Sequence, residues 1–241
     1  MRTTMLPGML GTVALNLSRK NNDLRLFEIG TVFRPKALPL TELPEEKEML
    51  CLALCGRGED FFTLKGAVES LAACLNIANP GFEAGGPDYL HPGQKATVTA
   101  GGAPAGHIGR LHPDVCENFG VPCAYVAEID FAALQSAAAS EITLTALPRY
   151  PAIERDLALV MERDRPAGRV AAMMKTAGGA LVESAAPFDV YTGDQVGDGK
   201  KSVAFALVLR APDRTLTDEE ASAVLETIVL RAGEEFGARL R

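Results

Sequence analysis

The amino-acid sequence predicts an α+β fold in two parts, which meet near residues 135–147. Runs that alternate apolar and polar residues, such as RLFEIGTVF and VAFALVLR, indicate half-buried strands. Apolar residues at a spacing of three or four, as in FFTLKGAVESLAACLNI, indicate helices. The stretch QSAAASEITLTAL is small, alanine-rich and followed by two prolines, which is typical of a domain boundary. We therefore expect one domain at residues 1–146 and another at residues 147–241.

The first domain combines both types of element. Helical spacing predicts a helix from Leu6 to Leu17, and LRLFEIGTVF and MLCLALCG predict two strands. Asp60 is placed to cap the second helix. ATVTAGGAPAGHIG predicts a hairpin that turns at Gly101-Gly102, and AYVAEIDF predicts a further strand. These elements predict a mainly antiparallel sheet with helices packed against it.

The second domain has the predicted element order βαββαβ. RDLALVM, residues 181–191, residues 201–210 and the tail ARLR predict the four strands. The signals for helix starts and stops are Asp164 with Pro166, Gly178-Gly179, and Thr217 with Glu220 as a capping box. This order is that of the ferredoxin-like fold, in which two helices cover one face of a four-stranded antiparallel sheet. The other face of the sheet is open.

The strand period of two assigns the side chains of this sheet to its two faces. The helix-covered face is predicted to take Phe188, Val190, Val203, Phe205, Leu207 and Leu209. The open face is predicted to take Asp189, Tyr191, Ser202, Ala204, Ala206 and Arg210. An aromatic ring, an acceptor and an arginine among small residues can bind unstacked RNA bases. A solvated face without a ligand fits the pattern equally well, because this fold has many functions.

The segment GDQVGDGKKS resembles a phosphate-binding loop but departs from that pattern. The loop requires four residues between its two glycines and a helix after them. Here five residues separate Gly193 from Gly199, and the alternating VAFALVLR follows. A turn between two strands is therefore the better interpretation.

The charge of the chain limits the classes of partner. The formal net charge is −7, which opposes non-specific binding to nucleic acid or membranes. Residues 147–241 carry 13 basic and 15 acidic side chains, so the second domain repels RNA less than the first. The sequence has no apolar run of transmembrane length and no signal peptide, which predicts a cytoplasmic protein.

No catalytic or metal-binding motif is recognisable in the sequence. The five cysteines include no Cys-x-x-Cys pair, which predicts free thiols. The three histidines, His91, His107 and His112, have no partners at metal-ligand spacing, so we interpret them as turn-forming side chains. A Gly-x-Ser-x-Gly nucleophile motif is also missing. We expect neither a metal site nor a catalytic residue in this chain.

Several longer stretches are similar to the bacterial phenylalanyl-tRNA synthetase β-subunit family. In the first domain they are RTTMLPGML, RLFEIGTVF, DFFTLKGAVE, YLHPG and HIGRLHPDV. In the second domain they are YPAIERDLALV, FDVYTG, GKKSVAFAL and RAPDRTLTDEE. The stretches follow in family order from one end of the chain to the other. The resemblance corresponds to the C-terminal part of that longer subunit.

The resemblance implies a fold for each domain and separate roles for the two subunits of the family. Residues 1–146 would be the C-terminal part of a degenerate, non-catalytic module related to the class II synthetase core, and residues 147–241 a ferredoxin-fold anticodon-binding domain. The family assembles two α and two β subunits, and its α subunit binds phenylalanine, ATP with Mg²⁺ and the tRNA end. Arg25 and Glu28 match a class II arginine and acid, but no glycine-rich segment ending in arginine follows within residues 50–146. We expect no cofactor in this chain, and no aminoacylation by the chain alone.

The resemblance also implies residues that bind the tRNA anticodon. Tyr191 would stack on a base, Asp189 would accept from a base edge, and Ser202 would bond to a base or sugar. The cations implied as backbone contacts are Arg155, Lys200 and Lys201. A solubilising role for the two lysines fits equally well. We expect weak tRNA binding by this acidic chain alone. The alternative function is that of a ferredoxin-like regulatory domain that binds a small metabolite.

Overall fold

The computed structural model describes residues 1–78, 80–139 and 147–241. The chain separates into two compact units, unit 1 (Met1–Thr143) and unit 2 (Leu144–Arg241). Each unit combines an antiparallel sheet with helices, which confirms the α+β class. Among the described residues, no helix has the length and apolar character needed to cross a membrane.

Unit 1 is built on a six-stranded antiparallel sheet. Its strands are β1 (Leu24–Arg34), β2 (Glu45–Cys55), β3 (Gly81–Ala84), β4 (Leu90–Ala100), β5 (Ala103–Leu111) and β6 (Tyr125–Asp130). Its helices are α1 (Leu6–Ser18), α2 (Phe61–Cys74), α3 (Pro113–Phe119) and α4 (Phe131–Ala137). The strand order is β1-β2-β6-β5-β4-β3. One core lies between the sheet and α1 with α3, and a second lies between the other sheet face and α2 with α4.

The local signals in the first part of the sequence are confirmed. The predicted N-terminal helix is α1, and β4 and β5 form the hairpin that turns at Gly101-Gly102. Asp60 is the N-cap of α2, because its carboxylate accepts from the backbone N–H of Thr63 at 2.7 Å.

Glu128 on β6 fixes the segment that precedes α1. Its Oε1 accepts from the Thr4 hydroxyl and from the Met5 backbone N–H, both at 2.6 Å. Its Oε2 accepts from the Tyr89 hydroxyl at 3.3 Å. Burial beside this carboxylate raises the pKa of Tyr89. These contacts give Glu128 a structural role, because they hold residues 4 and 5 against β6, an inner strand of the sheet.

The same segment also lies against the edge strand β1. The Arg2 guanidinium forms an ion pair with Glu28 at 2.7 Å, and its Nε donates to the Thr31 carbonyl at 3.0 Å. A Cβ at Gly30 would overlap the Arg2 guanidinium. Glycine at this position therefore makes room for the arginine.

Replacing Glu128 with alanine is expected to lower the free energy of unfolding of unit 1 by about 1–3 kcal/mol. The reason is that three donors, from Thr4, Met5 and Tyr89, would lose a charged acceptor in a half-buried place. Urea denaturation of wild type and Glu128→Ala measures the effect. Glu117→Ala is the control, because Glu117 is exposed on α3, and we expect it to change stability by less than about 0.5 kcal/mol. Equal stability of both variants would contradict the structural role.

Unit 2 has the order βαββαβ that the sequence predicts. Its elements are β7 (Ile153–Glu162), α5 (Ala167–Gly178), β8 (Val182–Tyr191), β9 (Lys200–Leu209), α6 (Asp218–Phe236) and β10 (Arg239–Leu240). The strands are antiparallel in the order β10-β7-β9-β8, so β8 and β10 are the edges. One core fills the space between the sheet and the two helices. The ferredoxin-like arrangement is confirmed.

The start of α6 is as predicted, and the start of α5 is not. The Thr217 hydroxyl and the Glu220 carboxylate form a reciprocal capping box at α6. Asp164 was predicted to cap α5, but Pro166 occupies the N-cap position and no described side chain forms a cap hydrogen bond there. The turn after β7 extends through Asp164 and Arg165, whose backbone N–H donates to the Glu162 carbonyl. The helix consequently begins later than the prediction.

The predicted burial of two residues on β8 is wrong. Phe188 and Val190 are 59% and 55% exposed, although the alternation assigns both to the helix-covered face. The register of β8 against β9 shifts between Pro187 and Asp189, so Phe188 has no partner on β9. Val190 does lie opposite the buried Val203, but on an edge strand one side has no neighbour. A bulge and an edge position therefore account for the two exposures.

Candidate nucleic-acid interface

The open face is the side of the unit 2 sheet that the helices do not cover. Tyr191 lies opposite Ser202, Ser202 opposite Val160, and Val160 opposite Arg239. Side chains that are directly opposed in antiparallel strands point to the same face. These four residues therefore form one row across the sheet. Asp189 lies in the next row, opposite Ala204.

Tyr191 reaches across the open face from one edge of the sheet. The guanidinium of Arg241, which follows the other edge strand, lies 5.0 Å from the centre of its ring. A Cβ at Gly193 would lie only 2.5 Å from the Tyr191 hydroxyl oxygen, so glycine lets the loop after β8 pass beneath the ring. The loop and the arginine thus both lie close to the ring of Tyr191.

Ser202 lies on the predicted face but is not available to a ligand. Only 3% of its surface is exposed, and its neighbour Val160 is buried as well. The short turn Asp194–Val196 packs against β9 and places Val196 in a buried position. Ser202 is therefore buried in this conformation, and its contact with a base or sugar stays a prediction. Ser202 is the partner of Tyr191 in the register of β8 against β9.

The structure separates the three predicted cations between the two faces. Lys200 shares the open face with Tyr191, because its neighbour Lys201 lies opposite Met161 of the core. Burial lowers the pKa of Lys201 on the helix side. Arg155 lies opposite the buried Leu207 and forms an ion pair with Asp218 at the start of α6. Only Lys200 is thus placed with Tyr191 and Asp189.

Two further arginines lie on this face, and neither is among the site residues predicted from the sequence. Arg239 belongs to the row of Tyr191, and the Arg241 backbone N–H donates to the Ala158 carbonyl at 3.0 Å. Alternation along the strand gives Arg241 the same orientation as Arg239. Within the described residues, Lys200, Arg239 and Arg241 form no ion pair with a carboxylate. In contrast, five other arginines among the described residues of unit 2 are ion-paired, namely Arg155, Arg165, Arg210, Arg214 and Arg231.

Unit 1 does not bring its class II-like residues together. Arg25 and Glu28 differ by three positions on β1, so they point to opposite faces of the sheet. Arg25 forms an ion pair with Glu59 at 2.7 Å, and Glu28 forms one with Arg2. Each residue is neutralised by a different partner, and the two do not form a site for ATP phosphates.

The histidines have local roles where the structure describes their contacts. The Nδ1 atoms of His91 and His112 accept from the backbone N–H groups of Gly93 and Asp114, at 3.1 and 3.3 Å. These contacts confirm the turn-forming interpretation for both. The described residues include no cluster of three or more side chains that could hold a metal ion.

An apolar cavity of about 550 Å³ lies in unit 1 between α2, α4 and the strands β1 and β2. Its walls include Phe27, which is 72% exposed, together with Leu71 and Leu134. No charged side chain lines the cavity.

Comparisons with known proteins find two matching family profiles, one for each part of the chain. Residues 1–131 match the family profile described as phenylalanyl tRNA synthetase beta chain CLM domain. Residues 148–241 match the ferredoxin-fold anticodon binding domain. A solved pyrrolysyl-tRNA synthetase from Desulfitobacterium hafniense matches 56% of this chain and 48% of its own chain, at 16% identity and a TM-score of 0.47. This likeness is too low to support an argument.

Curated relatives match the entire chain. The phenylalanine–tRNA ligase beta subunit of Symbiobacterium thermophilum is 42% identical, and that of Shouchella clausii is 39% identical. The chain spans 28% and 31% of the lengths of these two relatives. Two family profiles in succession and full coverage by such relatives lead to one conclusion. The chain belongs to the phenylalanyl-tRNA synthetase beta chain family.

Proposed function

We propose that unit 2 binds the anticodon loop of tRNA(Phe) on its open face. The observation that carries the proposal is the placement of Tyr191 and Asp189 on this face, beside Lys200, Arg239 and Arg241, which form no ion pair among the described residues although Glu162 lies opposite Lys200. Tyr191 offers an aromatic surface for an unstacked base, and Asp189 accepts a hydrogen bond from a base edge. Lys200 contacts the RNA backbone and positions the loop. The anticodon-binding description of the matching profile supports the same function.

We further propose that the chain acts within a complete phenylalanine–tRNA ligase. The names of the relatives support this assignment. In our proposal two such β subunits assemble with two α subunits in the cytoplasm. ATP and Mg²⁺ bind to the α subunit, where phenylalanine is attached to tRNA. The separate ion pairs of Arg25 and Glu28 support a non-catalytic role for unit 1, so the chain alone is expected to be inactive.

A titration with two RNA hairpins tests the anticodon-binding proposal. One hairpin carries the phenylalanine anticodon, and the other is identical except for its three anticodon bases. Fluorescence anisotropy at low salt, about 50 mM, measures both affinities, because higher salt weakens phosphate contacts. We expect weak binding overall, with a preference of about fivefold or more for the natural hairpin, since a stacked base contributes about 1–3 kcal/mol. Equal, salt-sensitive binding to both hairpins would contradict base recognition by this chain.

A further inference from the structure

Arg241 and Tyr191 meet on the open face, near the end of the sheet where β8 ends and β9 begins. Arg241 follows the edge strand β10, and Tyr191 ends the opposite edge strand β8. Their side chains are nevertheless in contact, with the guanidinium 5.0 Å from the ring centre. The two side chains thus extend over β7 and β9, where Val160 and Ser202 are buried. The contact occupies a surface of Tyr191 on which a base would stack.

The contacts that retain Arg241 over the ring are weak. Its Nη2 donates to the Gln195 amide oxygen at 3.3 Å. This is a long hydrogen bond from a charged donor to a neutral acceptor. The cation–π attraction is modest at a site that water can reach. Within the described residues, no carboxylate forms an ion pair with this guanidinium. A ligand that offers Arg241 an anionic partner can therefore displace it.

An RNA loop offers both a base for the ring and a phosphate for the arginine. A guanidinium forms short, bidentate, charge-assisted hydrogen bonds with phosphate, which are stronger than its contact with an amide oxygen. Base stacking on an aromatic ring needs an unobstructed face. One movement of the arginine side chain satisfies both requirements.

We propose that Arg241 is a displaceable cap on Tyr191. In the free protein the guanidinium covers the ring and orders it. When an unstacked base takes the ring, the guanidinium moves to a backbone phosphate of the same RNA. This inference rests on the proposed anticodon-loop function and assigns to it a residue that the sequence-based site does not include.

The first test compares RNA binding by wild type, Arg241→Ala and Arg231→Ala. Arg231 is the control, because it is an exposed arginine of α6 that pairs with Glu235. Anisotropy titrations with the phenylalanine anticodon hairpin are repeated at several salt concentrations. We expect Arg241→Ala to bind about tenfold more weakly, since it loses a charge-assisted contact. Its salt dependence, d log K/d log[salt], should be smaller in magnitude by about 0.7, the value for one phosphate contact to a single strand. Arg231→Ala should match wild type in both quantities.

The second test observes the cap without RNA. NMR spectra of protein with ¹³C-labelled tyrosine report the environment of the Tyr191 ring. We expect its resonances to move in Arg241→Ala and to remain in place in Arg239→Ala, which removes the same charge from the same edge. On saturation of wild type with the hairpin, the Tyr191 ring and the Arg241 Nε–H resonances should both move.

The outcomes separate this inference from the proposed function. If wild type and Arg241→Ala bind the hairpin equally and with the same salt dependence, the cap is wrong and anticodon binding stands. If RNA moves the Tyr191 ring resonances but leaves the Arg241 Nε–H resonance unchanged, the proposed displacement of Arg241 is wrong. If wild type binds neither hairpin at any salt concentration, the proposed function and the cap are both overturned.

Discussion

Replacing Phe205 with alanine is expected to lower the free energy of unfolding of unit 2 by about 3–5 kcal/mol. Phe205 is fully buried on the central strand β9, opposite Leu157 on β7 and Pro187 on β8. Its truncation leaves a cavity in the core between the sheet and the two helices, and rigid neighbours fill such a cavity only in part. A typical domain has a total free energy of unfolding of about 5–15 kcal/mol, so this loss could remove most of the stability of unit 2.

Hydrogen exchange with mass spectrometry measures this effect unit by unit. Peptides from β7 and β9 should exchange faster in Phe205→Ala, and peptides from the unit 1 sheet should be unchanged. Phe188→Ala is the matched control, because it removes the same side chain from an exposed position on the neighbouring strand. We expect the control to change stability by less than about 1 kcal/mol. Similar losses for both phenylalanines would show that the core is placed wrongly.

Tyr191→Ala is expected to weaken binding of the anticodon hairpin by about 1–3 kcal/mol, or roughly 5- to 150-fold. The variant removes the aromatic surface on which we place a base. The effect should concern the natural anticodon most, so the preference over the altered hairpin should shrink together with the affinity. Anisotropy titrations of both hairpins against wild type and variant give the two quantities.

Tyr191→Phe serves as the control for the ring itself. It keeps the aromatic face and removes only the hydroxyl group, which lies near Gly193 and forms no hydrogen bond that the structure describes. We expect it to bind within about threefold of wild type, because stacking depends on the ring. If Tyr191→Phe lost as much affinity as Tyr191→Ala, the hydroxyl and not the stacked ring would be responsible.

Local sequence signals predicted those parts of the fold that depend on neighbouring residues. The capping box of Thr217 with Glu220 and the N-cap at Asp60 involve residues only three apart, and both are confirmed. The alternation on β9 also holds, since Val203, Phe205 and Leu207 are buried. Each of these features is decided within one element, where spacing alone determines the contacts.

The sequence did not predict the features that depend on pairing between distant segments. The bulge at Phe188 shows only in the register between β8 and β9. Ser202 has the parity of an exposed residue, but the loop after β8 and its neighbours in the row bury it. Arg241 joins the open face because β10 pairs with β7, which lies about 80 residues earlier in the chain and is not adjacent in sequence. The anticodon-binding assignment of Tyr191 and Asp189 stays a prediction until RNA binding is measured.

The close approach of Arg2 to Gly30 links two positions that are far apart in the chain. A larger residue at position 30 would displace the guanidinium and weaken its ion pair with Glu28. A shorter residue at position 2 would lose the contact with the glycine and the ion pair with Glu28. During evolution neither position is free to change by itself, so substitutions there are expected to arise as compensating pairs. Among relatives, sequences that lack the glycine should also lack the arginine.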